Sequence, residues 1–458
     1  MQAPGPVPQL VRRFRLTRRR RVPTKRLTPS QPLRYVARPL TGRSPSGKAE
    51  ACKASIRRFE SDPPLFPTTR CKVGVLHGCS RRFCLMLLRK LTGTVAVVIV
   101  LAGSVATSPA FAQPVADSSP AAVSAADSAS FLGGSLDAVP AGITCSGSNY
   151  RRYRQTMDRA WSRYDSERAA PMQQWVAEHV SLEGYSTAFY PFSGPDFVSV
   201  HRFFPFADRY VMVALQIAGR PPDLTSSTAR CNLVLETFAR GAIGFGQLGF
   251  FVTEQLYEEF QDGDAVEGIT GMLMLMADRS GFAVDNVTPI RIDHQGQISI
   301  VDPATATASD WASVRLQMTR RADGASVTLD YVRLNLSDAW LNDHDHHAQF
   351  IREAASQPVV FKAASHMPQL GWFELLNQAV ASTSPLVIQD ETGVPLELLQ
   401  QHMSVEIFGE YTGPNDLFPE TPHQSLIDAF ASGEPGILPF SWGYDKAAGS
   451  CLVLATRP

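Results

Sequence analysis

The sequence predicts an α/β fold, a sheet flanked by helices and entered through an N-terminal helical segment. Three observations carry this expectation. Short apolar runs of strand length alternate with stretches of helical spacing from residue 188 onward. The clearest stretch is 359–395. An apolar run at 359–363 is broken by Ser365, His366 and Pro368. Helical spacing follows over 370–380, then a second run at 385–388 that ends on Gln389-Asp390-Glu391-Thr392-Gly393. The same order occurs earlier, as a run at 188–192, the turn Ser193-Gly194-Pro195-Asp196, a helical stretch at 197–204 and a run at 210–215. Both copies close on Gly-x-Pro, at Gly219 and Gly393. We therefore expect two related strand–helix–strand units, in one sheet or as two similar lobes. The competing reading is that Ser and Pro are ordinary turn residues and the match is coincidence.

Residues 1–85 are unlike the rest. They hold 20 lysines and arginines against 3 acids, which leaves 23 against 40 for residues 86–458. With no sustained apolar period they cannot bury enough surface to offset chain entropy, and disorder is expected. They are either a basic arm for nucleic acid or anionic membrane, or residues upstream of a true start at Met86. The second reading is preferred because Met86 opens an export signal. Met86-Leu87-Leu88-Arg89-Lys90, the apolar run 95–106 and Ala110-Phe111-Ala112 form the three-part layout of a secretory signal peptide. Cleavage after Ala112 would leave residues 113–458, periplasmic or secreted from a bacterium. Uncleaved, residues 91–112 would anchor the chain to the membrane. Four of the seven cysteines (Cys52, Cys71, Cys79, Cys84) precede this segment. Cys145, Cys231 and Cys451 remain, enough for one disulfide whose pairing the spacing does not select. None has zinc-site spacing.

Residues 113–145 are rich in Ala, Ser, Asp and Pro and read as a linker to a globular domain at 146–458. Tyr150, Tyr153, Met157, Trp161 and Tyr164 recur every three or four residues, one apolar helix stripe that belongs in a core. Pro171 is placed to open a second helix. Three further helices are expected at 225–239, 248–260 and 268–280. Gly241, Gly244, Gly246 and Gly249 could form a phosphate-cradling turn, but no Lys-Ser/Thr follows and the order is not a dinucleotide fingerprint. Close helix packing is the preferred reading, and the cofactor stays unknown. Hairpins are expected at 287–301 and 314–336. Residues 338–347, Asp-Ala-Trp-Leu-Asn-Asp-His-Asp-His-His, place Asp343 and His347 at i and i+4, a weak pair of metal ligands on one helix face. The bland reading is a solvated helix start capped by Asp338. A strand at 404–408, a helix at 423–431 and short strands at 439–444 and 451–454 close the chain.

Ligands in open α/β sheets gather beyond the carboxyl ends of the strands. Ser193, Asp196, Ser365, His366, Asp390 and Glu391 are expected there. A hydrolase or transferase would use Ser365 or Ser193 as nucleophile, His366 as base and Asp390 or Asp196 to orient it. Against this, no G-x-S-x-G elbow is present, and adjacent residues rarely serve as nucleophile and base. A binding protein would use the same groups to hold a small hydroxylated or cationic ligand. In a structural envelope protein without ligand, Ser193 and Ser365 would be helix caps. The binding reading is preferred. The acidity of residues 86–458 argues against nucleic acid as partner.

Residues 189–196 (Phe-Tyr-Pro-Phe-Ser-Gly-Pro-Asp), Lys362-Ala363-Ala364-Ser365 and 389–395 (Gln-Asp-Glu-Thr-Gly-Val-Pro) resemble signatures of a family of uncharacterised exported bacterial proteins. So does the spaced set Phe408, Gly409, Tyr411, Pro414, Phe418 and Gln424. The resemblance spans roughly 189–440. It implies export and the domain limits, and it transfers no catalytic roles. The family usually has an aromatic residue where this chain has His366, which weakens a mechanism resting on that histidine.

Overall fold

A computed structural model describes residues 123–251, 266–414, 418, 423–444 and 450–458. The basic stretch 1–85, the signal segment 86–112 and most of the helix expected at 248–260 lie outside the described residues. The strands are β1 (Thr187–Pro191), β2 (Arg209–Ala214), β3 (Phe282–Ile292), β4 (Ile298–Ile300), β5 (Val314–Arg320), β6 (Ser326–Arg333), β7 (Val359–Phe361), β8 (Leu386–Gln389), β9 (Ser404–Gly409) and β10 (Cys451–Thr456). They form one mixed sheet in the order β4-β3-β5-β6-β2-β1-β7-β8-β10-β9. The five central strands, β6-β2-β1-β7-β8, run parallel, and antiparallel strands complete each side.

Of the central strands, β2, β1, β7 and β8 read as continuous apolar runs because both of their faces are covered. Successive side chains point to opposite faces. Ala188, Tyr190, Tyr210, Met212, Val360 and Ile388 meet one helical layer, and Phe189, Val211, Val213, Val359, Phe361 and Val387 meet the other. The first layer contains α1 (Ala125–Gly133), α2 (Gly147–Tyr164), α3 (Ala170–His179), α4 (Phe197–Phe203), α5 (Thr228–Leu248) and α6 (Thr270–Arg279). The second contains α7 (Asp338–Asp343), α8 (Asp345–Ala355), α9 (Glu374–Thr383), α10 (Leu396–Gln400) and α11 (Gln424–Ser432).

Both strand–helix–strand units lie in this one sheet. From β1 the chain passes through α4 to β2 on one side, and from β7 through α9 to β8 on the other. Parallel crossovers share one hand, so winding in opposite directions places the two helices on opposite faces. That is what α4 and α9 do. The strand order therefore reverses between β1 and β7, and the carboxyl ends of these two strands flank a topological switch point.

Several expectations are corrected. The linker assigned to 113–145 contains α1, capped by the Ser124 side chain and ended by Gly134 at φ 69°. Its Ala and Ser content hid a buried pair, Phe131 and Leu132, and Phe131 stacks on Tyr150 at 4.4 Å. The glycines of 241–249 form no loop. Most of them lie within α5, which runs to Leu248 and ends on Gly249, and a Cβ on Gly246 would sit 3.3 Å from the Ala160 carbonyl. Close helix packing is thus the use of Gly246. Residues 439–444 are not a strand; they carry the buried Trp442 against Phe203 instead. Asp343 and His347 do not share a helix, because the chain breaks at His344 between α7 and α8. The cap of α7 is Ser337, while the Asp338 carboxylate accepts from the Glu374 and Leu375 N–H groups at the start of α9. Cys145 and Cys231 form a disulfide, and Cys451 is buried and free.

His201, on α4, is buried against Phe197, Tyr210 and Phe282. Its Nδ1 lies 3.0 Å from the Tyr210 hydroxyl, which donates to the Phe204 carbonyl. Burial first, then the charges of Arg202 and Arg320, pushes its imidazole down to about 3. The unfolded chain takes up this proton near pH 6.5, whereas the folded chain does so only near pH 3. The stability His201 contributes is therefore full above pH 6.5 and is lost as pH falls toward 3, by about 2 kcal/mol at pH 5. Urea unfolding of the wild type and of His201→Gln should show that much less loss in the variant between pH 7 and pH 5. Equal losses would contradict the assignment.

Candidate functional site

A cleft of about 120 Å³ opens at the switch point. It is lined by the residues that follow β1 (Phe192, Ser193, Gly194), β2 (Leu215, Gln216), β6 (Leu334, Leu336) and β7 (Lys362 to Ser365). Of the six residues expected at the site, Ser193, Asp196 and Ser365 line this cleft. His366, Asp390 and Glu391 do not; they are buried beside it.

Asp196 is held by Lys362, a residue the sequence reading left without a role. Lysine is almost never buried unless paired, and Lys362 is only 5% exposed. Its Nζ donates to Asp196 Oδ2 at 3.0 Å, to Ser199 Oγ at 2.6 Å and to the Gly249 carbonyl. Nζ also faces the rings of Trp442 at 4.9 Å and Phe245 at 5.5 Å. Asp196 accepts in addition from the Ser199 hydroxyl at 2.9 Å, from the Ser199 N–H at 3.3 Å as the cap of α4, and from the Tyr190 hydroxyl. Burial pushes the Asp196 carboxyl up and the Lys362 amine down, and their mutual attraction opposes both shifts. An ammonium has three N–H donors, and Lys362 has three acceptors around it. The geometry is that of a charged clamp joining the end of β7 to α4 and α5. An amine so engaged is not free to attack a carbonyl.

Asp390 holds the turn after β7. Its Oδ2 accepts from the Ala363 N–H at 2.6 Å, and its Oδ1 accepts from the Thr392 N–H at 2.8 Å and the Thr392 hydroxyl at 2.5 Å. Thr392 Oγ1 accepts in turn from the Ala364 N–H at 2.8 Å. Burial raises the Asp390 carboxyl, and these hydrogen bonds oppose the rise. The turn they grip is strained. Ala363, Ser365 and His366 all have left-handed backbone, at φ 49°, 53° and 56°. Phe192, in the matching turn after β1, has φ 57°. Each such residue costs about 1–2 kcal/mol, a strain that persists only where the surroundings over-determine it. Asp390 and Thr392 supply that constraint.

No nucleophile–base pair forms from the expected residues. The Ser365 hydroxyl lies 3.2 Å from the Tyr444 hydroxyl, which itself donates to the Ala363 carbonyl. The Ser193 hydroxyl donates to the Gly194 carbonyl at 3.1 Å. Among the described residues neither serine bonds to a histidine: His366 Nδ1 meets His423 Nε2 at 3.2 Å, and its ring packs on Phe418. Glu391 turns away from the cleft, with its Oε2 3.5 Å from the Cys451 thiol. At the weak metal pair, His347 Nδ1 accepts from the Trp340 indole at 3.0 Å, and burial, followed by the charges of His346 and His344, pushes its imidazole down to about 4. Among the described residues no group of three or more His, Cys, Asp or Glu side chains could hold a metal ion. Nor is any helix among them long and apolar enough to cross a membrane.

Gln216 lines the cleft, as does Lys362. A lysine ending an otherwise apolar, doubly covered strand was a legible signal, since its charge had to find a partner. Gln216 had no such signature. No family model, curated protein or solved structure matches the chain.

Proposed function

We propose that this protein is exported and holds a small polar molecule in the cleft at the switch point. The observation that carries the binding reading is the cleft itself. It lies where strand order reverses, at the carboxyl ends of β1 and β7, with a strained turn from each unit on its wall. Binding is favoured over catalysis because the cleft serines bond to carbonyl and tyrosine oxygens, and because the Lys362–Asp196 pair is occupied with itself and its neighbours. Export is supported by the signal layout of residues 86–112 together with the Cys145–Cys231 disulfide, a bond that persists in oxidising compartments. The family resemblance of the turn signatures points the same way.

Leu215 stands partly exposed in the cleft wall. Leu215→Trp should fill the cleft with little effect on the core. Native mass spectrometry of the wild type is expected to show one retained small molecule, and Leu215→Trp the bare polypeptide. Equal retention by both proteins would place the ligand elsewhere and overturn the proposal.

A further inference from the structure

We infer that the cleft selects a neutral ligand that presents a hydroxyl or amide N–H donor from an apolar body, and that Gln216 is the residue that reads this donor. The inference deepens the binding reading and rests on it. Gln216 follows β2 directly, is 8% exposed and lines the cleft. Its Oε1 is sealed from water, and no described residue donates to it. A buried acceptor without a donor is destabilising, and native proteins keep few of them. Other buried atoms without a described partner, such as the indole nitrogens of Trp175 and Trp311, lie away from the cleft. Among the described residues, Gln216 alone combines such an atom with a place in the cleft lining. The terminal torsion of glutamine is broad, so the carbonyl can turn toward a ligand in the cleft.

Charge and polarity of the walls set the rest of the ligand. Among the described lining residues the charged ones are Lys362 and Asp196, which bond to each other at 3.0 Å. Among the described lining residues this leaves no uncompensated charge for an ionic ligand. The remaining wall is largely apolar, built from Phe192, Leu215, Phe250, Phe251, Leu334 and Met367. The Ser365 hydroxyl, half-buried at the turn, offers a second polar contact. A cleft of this kind rewards a ligand whose donor pairs with Gln216 and whose body covers the aromatic wall. A site built around a buried polar group rejects an analogue lacking its partner more strongly than an apolar pocket rejects an extra group.

Calorimetric titration of the full chain with three probes tests this. The probes are 4-(hydroxymethyl)phenol, a neutral donor on an aromatic body; 1,4-dimethoxybenzene, which has no donor; and 4-hydroxybenzoate, which is anionic. The wild type is expected to bind the first about tenfold or more tighter than the second, and the third more weakly than the first. Gln216→Leu should abolish the preference of the first over the second. It should also unfold at a urea midpoint no lower than the wild type, because the substitution removes the unpartnered acceptor. A purely structural glutamine would lower that midpoint. If the probes bind but the preference survives in Gln216→Leu, or 4-hydroxybenzoate binds tightest, this inference is overturned while the binding reading stands. If none of the three binds at millimolar concentration, this inference is overturned, while the binding reading stands or falls on the mass retained by the wild type and Leu215→Trp.

Discussion

Lys362→Met is expected to reduce the free energy of unfolding by about 3–5 kcal/mol. The ammonium compensates a carboxylate with 3% residue exposure, and methionine keeps the apolar stem against Trp442 and Phe245 while removing the charge. What remains is a buried Asp196 with only the Tyr190 and Ser199 donors. The loss measures an uncompensated charge more than it measures the net contribution of the pair. Adding Asp196→Leu should therefore recover most of it. A deficit of about 1–2 kcal/mol should persist, because Asp196 also caps α4 and leucine cannot. Urea unfolding of the wild type, both single variants and the double variant gives the coupling. Additive losses, or a single-variant loss below about 1 kcal/mol, would show that the two charges do not meet as described.

Asp390→Ala is expected to be nearly as damaging, at about 2–6 kcal/mol, since it strands the buried N–H groups of Ala363 and Thr392. The consequence reaches the cleft, because those bonds fix the left-handed backbone of Ala363, Ser365 and His366. The variant should lose ligand even under conditions where it stays folded. Asp390→Asn should fare little better: the amide presents its NH₂ either toward the Ala363 donor or toward the Thr392 donors. Thr392→Val, which keeps the backbone donor and removes only the hydroxyl, should lie between these variants and the wild type. Gly443 leaves no room for repair from above, as a Cβ there would collide with the Asp390 carboxylate. Wild-type stability in Asp390→Ala would mean that the turn holds itself.

Much of the fold was legible because the central strands are covered on both faces. Their runs at 188–192, 210–215, 359–363 and 385–388 stand out as unbroken apolar stretches, and the helices between them follow the 3.6 period. The gathering of polar turns at the strand ends followed from the same reading. Which of those residues face the cleft did not. Ser365 and His366 are adjacent, yet left-handed backbone at both sends Ser365 toward Tyr444 and the cleft and His366 toward His423. Nothing in residue type announces a positive φ at a non-glycine position; it is set by Asp390 and Thr392, 27 and 28 residues beyond the N–H groups they hold. The linker assignment failed for a related reason. Composition reports average polarity, whereas α1 depends on Phe131 and Leu132 finding a partner in α2 and α6. Asp343 and His347 failed at a single residue, because His344 interrupts the helix on which their spacing depended.

If the switch-point cleft binds one small molecule, that molecule should be visible in place. Difference electron density in crystals of the exported protein, purified without added ligand, tests it most directly. Density for a compact organic molecule is expected between the turns at Ser193 and Ser365, with a donor atom within hydrogen-bond distance of the Gln216 side chain. A cleft holding only ordered water, in crystals of protein that retains a small molecule by mass, would place the ligand elsewhere and contradict the account.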